Sequence, residues 1–339
     1  MKKIAGIVLG LVAFGVIIFL SRDTSIAPTV SDVIANNPVV ETVKDIFVEP
    51  EKPARILNFG DAMFDRGVRD IMEDRGRDPF EYIKRDIGVV SGFDIVLLNL
   101  EGPIVEMPRE NCQQKSYNFQ FDDTTPTLLK SIGVNMVTIG NNHAYDCYQA
   151  GVDSTKNFLE KAGIEYIGDK PFEKSFIEKT INAKKVAFVG VDVTMQPITA
   201  EFYKLVQELD TRNDYLVVNI HWGDEYELVE NETQTAIAHA LVDSGADVVV
   251  GHHPHVMQPM RMYKNKPVFF SLGNFVFDQF ALNTTDGYGV GMELYSDKMI
   301  FEILPYKLNK FAPEFIYNEN KEKVCKFVGV SNCKLEVQI

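Results

Sequence analysis

At 339 residues and 45% hydrophobic content the chain has the length for one large domain or two ordinary ones and the apolar residues for a real core, which excludes a disordered protein. A formal net charge of −14 and an isoelectric point near 4.9 exclude nonspecific attraction to nucleic acid or to any other polyanion, because the bulk field repels phosphates and carboxylates. An anionic ligand therefore needs a local cation.

Lys2 and Lys3 precede a run from Ile4 to Leu20 that is apolar or glycine throughout. A short positive flank before a bilayer-length segment reads as either a signal peptide or an uncleaved anchor. Ser25-Ile26-Ala27 fits a cleavage site on size, but Pro28 follows it and disfavours cleavage. Residues 1–21 are therefore expected to be a single-pass membrane anchor, with everything after Ser21 on the extracytoplasmic side. Residues 22–53 lack sustained periodicity and carry Pro28, Pro38, Pro50 and Pro53, as a flexible stalk does.

From residue 54 onwards, short runs rich in β-branched residues alternate with amphipathic segments, the pattern of parallel strands and crossover helices in an α/β domain. Strands are predicted at Arg55–Phe59, Asp94–Asn99, Asn135–Ile139, Val186–Val191, Tyr215–Ile220, Asp247–Val250 and Val268–Ser271. Helices are predicted at Pro79–Val90, Thr125–Ile132, Gly151–Ala162 and Glu232–Ser244. The domain is expected to span 54–310, followed by an irregular or strand-like tail over 311–339. Cys112, Cys147, Cys325 and Cys333 agree with an oxidising compartment; they allow three pairings, of which Cys112–Cys147 with Cys325–Cys333 is expected. Their spacing lacks Cys-x-x-Cys and so argues against a cysteine zinc site.

Polar residues gather where the predicted strands end. Asp61 closes the first, Asn99-Leu100-Glu101 the second, Gly140-Asn141-Asn142-His143 the third, His221-Trp222-Gly223 the fifth and Gly251-His252-His253-Pro254-His255 the sixth. The carboxyl ends of parallel strands share one edge, where ligands bind, so these side chains are expected to converge. Singly, Asp61 and Asn142 would pass as turn or cap residues. Glu101, at the mouth of the apolar Ile95–Leu98 run, is harder to place without a partner or a metal. Three imidazoles within four positions repel when protonated and serve few turn requirements, whereas metal binding uses the alternation of His-x-His. Gly251 is expected to let the chain turn there and Pro254 to stiffen the path. His239, about 200° around a helix from Ile237, belongs on a solvated face and is set aside. Trp222 reads as a core anchor.

The ordered set GDAMFDR (60–66), NLEGP (99–103), GNNHAYD (140–146), HWGDEY (221–226), GHHPHV (251–256) and SLGNFVFDQ (271–279) resembles the CapA-type, poly-γ-glutamate capsule synthesis family. That family is similar to a divergent branch of the calcineurin-like metallophosphoesterases. The resemblance implies a four-layer α/β/β/α sandwich of the metallo-dependent phosphatase type with two divalent metal ions. It implies Asp61 on the first metal, Glu101 bridging, Asn142 and His221 on the second, and His253 or His252 on the second with His255 on the first. His143 resembles the histidine that polarises substrate and assists the leaving group, and Asp146 would orient it. Within the matched motifs, His252, Asn99, Arg66 and Asn274 are further candidates. The wider superfamily opens with Asp-x-His, whereas here Met63 follows Asp61-Ala62, so the first metal lacks one expected imidazole.

Carboxylate, amide oxygen and imidazole ligands place Mn²⁺ first, with Fe or Zn²⁺ as alternatives. Three functions follow from the resemblance: a membrane-anchored hydrolase of phosphoesterase type in capsule assembly, a γ-glutamyl amide hydrolase or transferase on the polymer, or a non-catalytic polymer-binding component. The implied partners are an anionic surface polymer or a phosphoester substrate, the membrane, and other capsule synthesis membrane proteins, with no nucleic acid.

Overall fold

The β-branched runs fold as strands that divide between two facing sheets instead of lying in one. They are seen in a computed structural model that describes residues 50–172, 175–281 and 283–339. The expected membrane segment, 1–21, and nearly all of the expected stalk lie outside the described residues. Among the described residues no helix is long and apolar enough to cross a membrane.

In the first sheet β1 (Ala54–Ala62), β2 (Ile95–Leu100), β3 (Met136–Thr138) and β4 (Glu165–Ile167) run parallel. The second contains β5 (Phe176–Ile181), β6 (Lys184–Asp192), β7 (Tyr215–His221), β8 (Val248–His252), β9 (Met257–Tyr263) and β10 (Lys266–Leu272), in the order β5-β6-β7-β8-β10-β9. Its four central strands are parallel and its two edge strands antiparallel. The chain then returns to the first sheet. There β11 (Asn274–Val276) pairs with β1, while β12 (Asp286–Leu294), β13 (Lys298–Asn309) and β14 (Ala312–Phe315) extend it antiparallel.

Alternation along each strand sorts side chains into three apolar slabs. Ile56, Leu97, Phe188, Val217, Val248 and Phe269 fill the space between the sheets. Leu57, Phe59, Leu98 and Val137 face the other way, onto α1 (Arg66–Arg75), α2 (Glu81–Arg85), α3 (Thr125–Lys130) and α4 (Tyr148–Ala162). Ala187, Leu216, Val218 and Val249 pack beneath α5 (Ala200–Asp210) and α6 (Glu232–Asp243). The layers are thus helix, sheet, sheet, helix. Because both faces are covered, the central strands read as unbroken apolar runs.

Several elements differ from their expected outlines. The helix expected over Pro79–Val90 is only α2 plus a 3-10 turn at Ile87–Val89. The helix expected from Gly151 begins at Tyr148. Residues 311–339, expected as a tail, contribute β14, a helix α7 (Glu319–Val328) and β15 (Lys334–Gln338), which pairs with β13. Both disulfides have the expected pairing, Cys112–Cys147 and Cys325–Cys333.

Candidate metal centre

Strand alternation carries the polar residues to the end of the slab between the sheets. On β7, Tyr215 and Val217 face that slab, so Asn219 and His221 follow on the same face; on β8, Val248 and Val250 bring His252 with them. On β2, Ile95 and Leu97 bring Asn99, and Glu101 lies one step beyond. Asp61 would fall on the wrong face were β1 regular. Between Asn58 and Asp61 the register on β2 advances by only two, from Leu97 to Asn99, so a β-bulge turns Asp61 inward. Gly60 permits it: a Cβ there would lie 1.9 Å from the Gly273 carbonyl oxygen, which accepts a hydrogen bond from Asp61 N at 3.0 Å.

The site is built around two buried carboxylates. Asp61 accepts from Asn99 Nδ2 (2.9 Å) and from the backbone N of His253 (3.2 Å), and its oxygens lie 3.2 Å from His252 Nδ1 and 3.5 Å from His255 Nδ1. Glu101 Oε2 accepts from Asn99 Nδ2 at 3.3 Å, while Oε1 sits 3.5 Å from His255 Nε2 with no hydrogen bond. His221 Nε2 is 3.0 Å from Asn142 Oδ1, and its Nδ1 is 3.4 Å from Asn99 Nδ2. Asn274, opposite Asp61 on β11, places Oδ1 2.9 Å from His255 Nδ1, which leaves His255 Nε2 toward Glu101. His252 lies between Asp61 and Asn219, 3.4 Å from the latter.

The turn after β8 is not made at Gly251. That residue lies within the strand and packs tightly, since a Cβ would meet the Phe270 carbonyl oxygen at 2.0 Å and Trp222 Nε1 at 2.4 Å. The turn is made by His253 (φ 97°) and His255 (φ 58°), left-handed conformations that cost on the order of 1–3 kcal/mol each and persist only where surroundings enforce them. Trp222 is a core anchor, stacked on Phe270, and His239 stacks on Tyr263 away from the site.

His143 and Asp146 form a dyad at the rim, Nδ1 to Oδ2 2.8 Å, with Asp146 also accepting from Phe119 N (2.7 Å) and paired with Lys115 (2.5 Å). Phe119 stacks on the His143 ring and Phe277 leans on that of His255. Arg66, ion-paired with Asp278, lies over Phe119, Phe277 and Tyr117. Every predicted site residue therefore lies in this cluster or touches it at one remove. Sequence reading named Asn141 among the strand-end residues but gave it no role; its Nδ2 donates to Asn99 Oδ1 and the Leu100 carbonyl. It passed over Asn219, detectable by its two-residue spacing from His221, and Glu225, inside the quoted HWGDEY.

Burial would raise the Asp61 carboxyl, but the imidazoles of His252 and His255 beside it outweigh burial and hold the group well below its usual range. Glu101 goes the other way: burial pushes it well up, against the pull of His255. Burial lowers His143 against Asp146 and lowers His221 further, and with the charge of His255 it brings His253 down to about 4. For His255 burial is outweighed by Glu101 and Asp61, which lift it to about 9.

A divalent cation fits this donor set. Glu101 Oε1, His252 Nδ1 and His253 Nδ1 are buried atoms of ligating type without hydrogen-bond partners, and such orphans need an explanation. Ligand atoms of Asp61, Glu101 and His255 lie within 4.8 Å of one another, as do those of Glu225, His253 and His255. His253, brought down to about 4 by burial, keeps a lone pair for ligation. Met63 is not aimed there: its Sδ accepts from the backbone N of Asp65 at 3.0 Å.

A family described as bacterial capsule synthesis protein PGA_cap matches residues 55–279. The chain is 30% identical over 280 residues to the capsule biosynthesis protein CapA of Bacillus anthracis, covering 75% of this chain and 67% of that one. It is 29% identical over 274 residues to the PGA biosynthesis protein CapA of Bacillus subtilis strain 168, with coverages of 75% and 71%. Among solved structures, a hypothetical protein from Thermus thermophilus aligns at TM-score 0.43 and 17% identity over 76% of this chain and 95% of that one. Vps29 from Cryptosporidium parvum aligns at TM-score 0.34 and 12% identity, covering 78% and 96%. Both are too distant to bear on chemistry.

Proposed function

The chain belongs to the bacterial capsule synthesis protein PGA_cap family, and from that premise we propose that it is a metal-dependent hydrolase of phosphoesterase type in the assembly of an anionic surface polymer, poly-γ-glutamate. The layered sandwich is read as the metallo-dependent phosphatase type, and residues 1–21 as the anchor that holds it outside the membrane. The observation that carries the reading is the buried set Asp61, Glu101 and His255, with ligand atoms within 4.8 Å and one carboxylate oxygen unpartnered.

Asp61, Glu101, Asn142, His221, His253 and His255 would hold two divalent ions, with His252 and Asn99 beside them. Bound there, such ions supply Lewis-acid polarisation and acidify a water nucleophile. Asn99 orients both carboxylates through one amide, and Asn274 fixes the tautomer and tilt of His255. His143 has Nδ1 committed to Asp146; in its protonated form, which Asp146 favours and burial opposes, Nε2–H would donate to a substrate oxygen and assist the leaving group. Arg66 and Lys115 bring a guanidinium and an ammonium to the rim, each already paired with a carboxylate, Asp278 and Asp146, so the positive charge that would receive a polyanion would come chiefly from bound metal.

The test uses the full-length chain and its Asp61→Ala and His221→Ala variants. Bound metal is measured, then turnover of a phosphodiester and of poly-γ-glutamate. The reading expects metal in the parent, phosphodiester cleavage, and loss of both in the variants. Cleavage of the polymer alone would replace the phosphoesterase reading with γ-glutamyl amide chemistry. Capsule assembly supported equally by both variants in cells would leave only a non-catalytic polymer-binding role.

A further inference from the structure

Glu225 stands on the exposed side of the centre, on the loop between β7 and α6. Its carboxylate comes within 4.8 Å of ring nitrogens of both His253 and His255. His255 belongs also to the set with Asp61 and Glu101, so it lies between that buried carboxylate pair and Glu225.

The placement is held from several directions. Gly223 (φ 83°) and Tyr226 (φ 69°) bend the loop back on itself. Tyr226 N donates to the Pro254 carbonyl at 2.8 Å, which ties the residue after Glu225 to the residue between the two imidazoles. On either side, Asn231 Nδ2 donates to Asp224 Oδ2 (2.7 Å) and Gln258 Nε2 to the Glu227 carbonyl (2.9 Å). A loop fixed at the residues flanking an acid, and fixed to the very turn that carries two histidines, positions that acid.

Facing it is an independent sign of a missing partner. His253 is only 8% exposed, yet its Nδ1 has no hydrogen-bond partner. Its backbone is held in the left-handed region with its N–H on Asp61, so the ring orientation is enforced from behind. Met63, two residues after Asp61, brings only a thioether, and that is already engaged with the Asp65 backbone. A hard or borderline divalent ion prefers a carboxylate to a thioether.

We propose that Glu225 is a metal ligand, completing with His253 and His255 the coordination that the segment after Asp61 leaves short. This rests on the metal-centre reading above and adds to it a ligand from a solvent-facing loop. Three carboxylates, Asp61, Glu101 and Glu225, then balance the charge of divalent ions in a centre otherwise built of imidazoles and amides.

The probe is Mn²⁺ alone, titrated into the full-length chain and into Glu225→Gln, Glu225→Ala and, as a loop control, Glu227→Gln. Affinity is read by calorimetry and free ion by electron paramagnetic resonance. Glu225→Gln and Glu225→Ala are expected to lose one bound ion or to weaken Mn²⁺ binding about tenfold or more, while Glu227→Gln matches the parent. The exposed position predicts unchanged circular dichroism and metal-free melting for all three variants. Parent-like Mn²⁺ stoichiometry and affinity in Glu225→Gln overturns the proposal and leaves the metal centre standing, including the case in which only KM for substrate changes. Absence of Mn²⁺ binding in the parent overturns both.

Discussion

Replacing Glu101 by Gln should stabilise the metal-free protein and ruin its response to metal, opposite effects from one atom pair. Glu101 is fully buried, its Oε1 has no hydrogen-bond partner, and burial pushes its pKa well up even beside His255. A folded-state pKa raised above the ordinary 4.5 contributes stability that is fully present below 4.5 and is lost as pH rises through the folded value. At neutral pH the buried carboxyl therefore opposes folding, and the amide of Gln, which does not titrate, does not. An unsatisfied buried polar group costs about 1–3 kcal/mol, more when charged. A domain of roughly 290 residues, Lys52 to Ile339, unfolds with an entropy near 0.6 kcal/mol/K, so the relief should raise Tm by about 2–5 °C. Calorimetric melts in chelator at pH 7.5 should show Glu101→Gln above the parent, and the gap should shrink as pH falls toward 4.5. With Mn²⁺ the order should invert, because the parent gains from ligand binding and the variant does not. A metal-free variant that melts below the parent, or one that gains as much from Mn²⁺, would refute the reasoning.

Three further outcomes are expected. His255, lifted to about 9, holds a proton that a metal must displace, so Mn²⁺ affinity should climb about tenfold per pH unit up to about 9 and then flatten; calorimetry giving a flat profile between pH 7 and 9 would remove His255 from the ligand set. In Asp146→Asn the carboxylate that opposes burial is gone, so His143 should titrate still lower than in the parent by NMR, and an unshifted resonance would mean that the dyad at 2.8 Å does not govern that ring. Opening Cys112–Cys147, whose ends are 35 residues apart, should cost roughly 4 kcal/mol against roughly 2.5 for Cys325–Cys333, 8 apart. Denaturant melts of the two Cys→Ala double variants check this order, and equal losses would contradict the loop-entropy assignment.

The central strands were legible because they are buried on both faces. Runs such as Val248–Val250 have few other uses. The later strands were not, and β12 shows why: its Gly287, Gly289 and Gly291 weaken any strand pattern, yet a Cβ at 289 would strike the Phe59 ring at 2.9 Å and one at 291 the Phe93 ring at 3.0 Å. Those glycines answer to aromatic rings on other segments, which no local pattern displays. Helix α1 hid for a different reason, since only Val68 of its ten residues is buried and the rest reads as a charged loop.

The site divides in the same way. Strand-end position was enough to gather Asp61, Glu101, Asn142, His143, His221 and the histidine turn, because the ends of parallel strands share an edge. What escaped depends on pairing between segments. The bulge at Gly60 that turns Asp61 inward exists only against Leu97 and Asn99. The turn that carries the histidines is made by left-handed backbone at His253 and His255, where the sequence suggested Gly251 instead. Glu225 is a lone acid in a loop until the tie from Tyr226 to Pro254 carries it to the imidazoles.

The most direct measurement is anomalous diffraction from crystals grown with Mn²⁺. Two peaks about 3.5–4 Å apart are predicted, one of them bounded by Asp61, Glu101 and His255. A map with no anomalous peak within coordination distance of those three residues would contradict the metal centre from which the proposed function is drawn.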